Sequence, residues 1–121
     1  MTQSPNKPEH NKTGGMNISG RTIVTLESQI TYSNCNELEE KIDNVIQQNK
    51  TEIILDCKNV GLLDSAALQL LIQTHEELRN KGGALKMVGL NEVCMDIMLA
   101  TRLINMLFIY KDMHEAVTSR L

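Results

Sequence analysis

Asp64 and Ser65 stand side by side in Val60-Gly61-Leu62-Leu63-Asp64-Ser65-Ala66-Ala67-Leu68, where a β-branched run gives way to apolar residues at helical spacing. A serine at such a join can close the first turn of the helix, or it can be a residue on which chemistry is done. As an N-cap, its oxygen accepts a backbone N–H of the first turn and contributes about 1 kcal/mol. That is the commonest role of a serine before a helical run, and Ser65 is expected to cap this one. As a nucleophile it needs a base, and the sequence offers none. No G-x-S-x-G elbow surrounds it, and the histidines beyond the N-terminal segment are His75 and His114. His75 reads as a half-buried residue on the apolar side of the Ser65 helix. His114 falls in the exposed first turn of the last helix.

The other reactive side chains are no better placed. Asp56 and Asp64 are isolated carboxylates near strand ends, with no metal-ligand spacing around them. Gly82-Gly83 lacks the G-x-x-x-x-G-K-[ST] pattern and ends a helix rather than opening one, so it is no phosphate loop. Cys35, Cys57 and Cys94 are odd in number and widely spaced. They fit neither a disulfide framework nor a zinc site, and a reducing cytosol is their expected setting. Cys57 lies in an apolar run with no electropositive niche, and Cys35 reads as a small packing residue in a first helical turn. No catalytic residue, metal or cofactor is expected.

Composition narrows the partners. The net charge is −3, and the aromatics number three: Tyr32, Phe108 and Tyr110. A chain with that balance has neither the basic surface nor the stacking platforms for nucleic acid, so DNA and RNA are excluded. No apolar run is long enough for a membrane span or a signal peptide. With 121 residues the chain is of single-domain size. Residues 1–15 hold both prolines and almost nothing apolar, and are expected to form a disordered tail before one ordered domain over 16–121.

The elements that must position Asp64 and Ser65 follow from periodicity. Thr22–Leu26 reads as a strand, with Met16–Ser19 hairpinned to it through Gly20-Arg21. Asn34 opens a helix whose inward face is Leu38, Ile42, Val45 and Ile46. Glu52–Cys57 is a strand buried on both faces. The Ser65 helix turns Leu68, Leu71, Ile72 and Leu78 inward and ends at Gly82-Gly83, a left-handed C-cap signal. Ala84–Val88 is the next strand. Asn91 caps a helix running to about Ala100, Asn105–Tyr110 is a further strand, and Asp112 with Glu115 forms a capping box before a last helix bearing Met113, Ala116 and Val117. Alternation of this kind predicts an α/β domain with a mixed, mainly parallel sheet of four to five strands and about four helices. Sites in such sheets lie beyond the carboxyl ends of the strands, where Asp64-Ser65 falls.

The stretch from Ile53 to Leu90 resembles the STAS domains, the bacterial anti-sigma factor antagonists. The resemblance rests on the strand Ile53–Asp56, the helix start Asp64-Ser65-Ala66-Ala67-Leu68 and Lys81-Gly82-Gly83, and it extends over roughly residues 20–118. It implies a non-enzymatic switch protein. In that family the serine after the aspartate is phosphorylated by an anti-sigma factor serine kinase and restored by a cognate serine phosphatase. Carried over, the phosphorylated residue is Ser65, and the partner-binding surface comprises Thr31, Asp64, Ser65, Ala66 and Ala67. Thr31 stands where the family usually has an acid, Ala67 where it has glycine, and Arg102 where a glycine ends a helix. An arginine in left-handed geometry costs roughly 1–2 kcal/mol, so the turn at Arg102 is expected to be built differently. The alternative implied by the same family is a constitutive scaffold subunit in which Ser65 is a cap alone.

Overall fold

A computed structural model describes residues 16–18 and 21–119; the expected tail lies outside the described residues. The elements run β1 (Met16–Ile18), β2 (Arg21–Thr25), α1 (Cys35–Gln47), β3 (Glu52–Asp56), α2 (Ser65–Asn80), β4 (Ala84–Val88), α3 (Glu92–Ala100), a 3-10 turn (Leu103–Asn105), β5 (Phe108–Tyr110) and α4 (Met113–Thr118). Their sheet has the order β1-β2-β3-β4-β5. Four strands, β2 to β5, are parallel, and β1 is an antiparallel edge. The mixed, mainly parallel α/β sheet with four helices is the architecture that the alternating pattern predicts.

Sequential strand order decides where the helices go. Each parallel connection moves the chain one strand in the same direction, so right-handed crossovers stack α1, α2 and α3 on one face. That face holds the main core, in which Val24, Ile53, Leu55, Leu85 and Met87 of the sheet meet Leu38, Ile42, Leu71, Leu78 and Met98 of the helices. The opposite face packs Ile23, Ile54 and Val88 against α4 through Ala116, with Met113 and Val117 alongside.

The helical stripe read for α1 is the buried one. In α2 the inward face is rotated from the expectation: Leu70, Leu71, Thr74, His75 and Leu78 are buried, while Leu68 and Ile72 are only partly so. The reason is that α2 packs against the sheet at β4 and also against its neighbour α1, which widens its buried arc beyond one narrow stripe. Two boundaries and one turn also differ. Arg21 belongs to β2, where it pairs with Ile18, rather than to the hairpin turn. The expected strand from Asn105 starts at Phe108, because Leu103–Asn105 first makes a 3-10 turn. Arg102 itself adopts the left-handed conformation, with φ 64° and ψ 14°. The expectation of a differently built turn is therefore wrong: the chain keeps the geometry and bears the arginine's strain, with Leu103 buried immediately after it.

Two glycines at the end of α2 do separate work. Gly82 takes φ +79°, and Gly83 lies so close to Thr51 that a Cβ would collide with the Thr51 carbonyl. The double glycine thus both ends α2 and lets the turn into β4 pass against the start of β3.

Lys86 is the feature that strand periodicity hides. It sits in the middle of β4, on the α4 face, and is completely buried. Its ammonium donates to the carbonyls of Ala116 at 2.7 Å and Ser119 at 3.1 Å, at the C-terminal end of α4. It also pairs with Glu52 Oε2 at 2.8 Å, which in turn holds Arg21 Nε at 2.6 Å. The Tyr110 ring lies 5.5 Å away. A buried charge is tolerated only when paired and hydrogen-bonded, and a cation at a helix C-terminus is favoured by the helix dipole. Lys86 meets both conditions.

Candidate functional site

All four parallel strands point the same way, so the loops leaving β2, β3 and β4 gather at one end of the sheet. Asp64 is the residue that organises that end. It has extended backbone, with φ −97° and ψ −176°, and its Oδ1 accepts the N–H of Ala67 at 3.0 Å. Asp64, rather than Ser65, is therefore the N-cap of α2, which corrects the sequence expectation. The signal was present: with Asp64 as cap, Leu63 before it and Leu68 within the first turns form the hydrophobic pair that staples a helix entry. Leu63 is buried and Leu68 packs against the same cluster.

The second carboxylate oxygen does different work. Asp64 Oδ2 accepts the N–H of Tyr32 at 2.8 Å, across to the loop that leaves β2. Backbone bonds complete the tie: Ile30 N donates to Leu62 O at 3.1 Å, and Asp64 N donates to Ile30 O at 3.3 Å. The Ala67 and Tyr32 amides, in that order, hold the Asp64 carboxyl below its ordinary value. A carboxylate accepting several backbone N–H bonds is stabilised in its charged form. Within the β2 exit loop, Asn34 accepts the Thr31 N–H at 2.8 Å and donates to Gln29 O at 2.9 Å, so the loop is braced from inside as well.

Relieved of capping, Ser65 occupies the first helical position, exposed, with no side-chain hydrogen bond among the described residues. Thr31 is brought to the same end, and its hydroxyl pairs with that of Ser33 at 2.9 Å. Ala66 is half-buried beside Ser65. Ala67 is 1% exposed: its methyl fills the core, and its part in this end is the amide that Asp64 caps. Of the expected surface, Thr31, Asp64, Ser65 and Ala66 meet at one end, while the Ala67 side chain turns inward.

The β4 exit loop is joined to this end too. Asn91 caps α3 by accepting the Cys94 N–H at 2.8 Å, as its position predicts. Its amide nitrogen reaches the carbonyls of Val60 and Gly61, both at 3.4 Å. Asp56 folds back on its own loop, accepting the Lys58 N–H at 3.2 Å.

The remaining reactive groups are elsewhere. His75 lies ten residues along α2 from Ser65, about 15 Å at the rise of an α-helix. It is buried against Phe108, ring centres 6.5 Å apart. Burial pushes the Cys57 thiol far up, with Cys94 and Asp56 adding to it, and burial also raises Cys94. Such thiols stay protonated and unreactive.

With the fold and this end described, comparison with known proteins becomes informative. The family model of the STAS domain matches residues 7–116. The chain belongs to the STAS domain family. An anti-sigma F factor antagonist of Paenibacillus polymyxa is 24% identical over 100 residues, spanning 82% of this chain and 86% of that protein. Among solved structures, a protein of Thermotoga maritima superimposes with a TM-score of 0.84 at 19% identity, covering 89% of this STAS domain and 93% of its own chain. The Bacillus cell fate determinant SpoIIAA, solved in its phosphorylated form, gives 0.66 at 16% identity, covering 84% and 91%. At these identities the two structures establish the shared fold. Among the described residues, no helix of this STAS domain is long and apolar enough to cross a membrane.

Proposed function

We propose that this STAS domain is a cytosolic anti-sigma factor antagonist, switched by phosphorylation of Ser65. Unphosphorylated, it binds an anti-sigma factor serine kinase through the end that carries Thr31, Asp64, Ser65 and Ala66, and so frees a sigma factor. Phosphorylated, it releases the kinase until a cognate serine phosphatase removes the phosphate. The observation that carries this reading is the division of labour at the start of α2. Asp64 does the capping, and the Ser65 hydroxyl is left exposed and, among the described residues, without a hydrogen bond. The Paenibacillus relative's name and the phosphorylated form of SpoIIAA support it, at the level of likeness.

The chemistry asks little of this chain. The Ser65 Oγ attacks the γ-phosphorus of ATP held by the kinase, the bond to ADP breaks, and the serine proton goes to a base of the kinase. The role of this domain is presentation: a hydroxyl at the capped start of α2. The product gains about −1.5 to −2 charges at neutral pH. The positive end of the α2 dipole favours that charge locally, so the fold survives it. The switch then acts at the interface, through bulk and through repulsion beside the Asp64 carboxylate.

The test is direct. Each recombinant anti-sigma serine kinase of the host genome is incubated with ATP and the purified domain, and the product is mapped by mass spectrometry. One kinase is expected to place a single phosphate on Ser65 and none on the Ser65→Ala variant. An unmodified Ser65 with every kinase would favour the constitutive scaffold instead.

A further inference from the structure

Six large apolar side chains are exposed among the described residues, and they fall into two sets. Tyr32, Leu62 and Val93 are 81%, 45% and 50% exposed; Tyr32 and Leu62 lie in the loops leaving β2 and β3, and Val93 in the first turn of α3, just after the loop leaving β4. Leu99, Met106 and Phe108 lie instead from the end of α3 to the start of β5. The first set has a feature the second lacks. Its loops are joined by the hydrogen bonds that pass through Asp64 and Asn91, so their apolar side chains are carried on one braced backbone.

We infer that Tyr32, Leu62 and Val93 are the anchors by which the anti-sigma serine kinase grips this domain around Ser65. The inference rests on the reading of Ser65 as the phosphorylated residue and adds to it what the kinase holds. To reach the hydroxyl, the kinase must cover the end of the sheet from which these side chains project. Interface energy concentrates in a few central residues, tyrosine prominent among them. Anchors on a backbone already braced lose little conformational freedom on binding. Tyr32 is the best placed, because its own amide is fixed by the carboxylate next to Ser65.

The same arrangement accounts for release. A phosphate on Ser65 puts a strongly hydrated anion among groups that bind by shedding water. Docking the kinase would then bury that charge, and burial of an unpaired charge is heavily penalised. No shape change in the domain is needed.

The experiment measures the dissociation constant of the kinase that modifies Ser65, by calorimetry with ADP present, against the wild type and the variants Tyr32→Ala, Leu62→Ala and Leu99→Ala. Melting temperatures are recorded for all. Tyr32→Ala is expected to weaken binding roughly tenfold or more, Leu62→Ala several-fold, and Leu99→Ala less than twofold, with melting temperatures unchanged. Binding by Tyr32→Ala equal to wild type, or a Leu99→Ala loss as large as that of Tyr32→Ala, would overturn the inference while leaving the Ser65 reading in place. A wild-type domain that no kinase binds or modifies would overturn both.

Discussion

Ser65 and Lys86 lie in opposite settings of one sheet. Ser65 is beyond the strand ends, exposed, with a hydroxyl that makes no hydrogen bond among the described residues. Lys86 is in the middle of β4, completely buried, with an ammonium that holds two carbonyls and a carboxylate. The difference separates stability from recognition. Polar groups on the α4 face are turned inward to fasten a six-residue helix that has only a small apolar contact of its own. At the loop end, the fastening is done by Asp64 and Asn91, which leaves Ser65 and its apolar neighbours to face a partner. Substitutions at the two places should therefore fail in different ways.

The largest effect is expected on the buried side. Glu52→Ala removes the carboxylate partner of a fully buried ammonium and should lower unfolding free energy by about 3–5 kcal/mol. Combining it with Lys86→Met should recover much of the loss, since an apolar pair leaves no buried charge unmatched. Urea titrations of the single and double variants measure both. A double variant no more stable than Glu52→Ala would show that the carbonyl bonds of Lys86, rather than its charge pairing, hold α4.

Asp64→Ala comes next. It deletes the cap of α2 and the tie to Tyr32 together, and should lower the melting temperature by roughly 4–8 °C. Because the folded carboxyl lies below its ordinary value of 3.8, its contribution is fully present above that value and is lost as pH falls through the folded one. Thermal melts should accordingly show the gap between wild type and Asp64→Ala closing in acid, below the ordinary carboxylate value. A gap that widens in acid would refute the carboxylate's role.

Arg102→Gly should be smaller and of opposite sign. Relief of the left-handed strain, less glycine's unfolded-state entropy, should stabilise by roughly 0.5–1 kcal/mol. Kinase affinity should not change, which would make the independence of the two properties explicit. Chemical denaturation and a binding isotherm on the same preparation check both halves.

How much of this was legible in the sequence depends on what each feature rests on. The strands β3 and β4, the stripe of α1 and the caps at Asn91 and Asp112 follow from local spacing, and local spacing is what a sequence displays. Asp64 and Ser65 are both cap-type residues in tandem, so residue type alone does not choose between them; the spacing of Leu63 and Leu68 around an Asp64 cap does. Lys86 was invisible for a different reason: alternation tells which face a residue takes, while the carbonyls that accept its protons arrive from a helix about thirty residues later. Arg102 shows tertiary context overriding backbone preference. At the candidate site, Asp64 and Ser65 were found through their placement and the family resemblance. Tyr32, Leu62 and Val93 were not, because exposure in a loop or in the first turn of a helix has no period to read.

The central claim is that Ser65 serves recognition and not the fold, and two substitutions test it most directly. Ser65→Ala and Ser65→Asp are each measured for melting temperature and for affinity toward the anti-sigma serine kinase. Both variants should fold like wild type within about 0.5 kcal/mol, since an exposed, unbonded hydroxyl is lost in either case and the helix N-terminus tolerates a carboxylate. The alanine variant should bind constitutively, and the aspartate variant, though equally well folded, should bind weakly. Equal affinity for two well-folded variants would contradict the account.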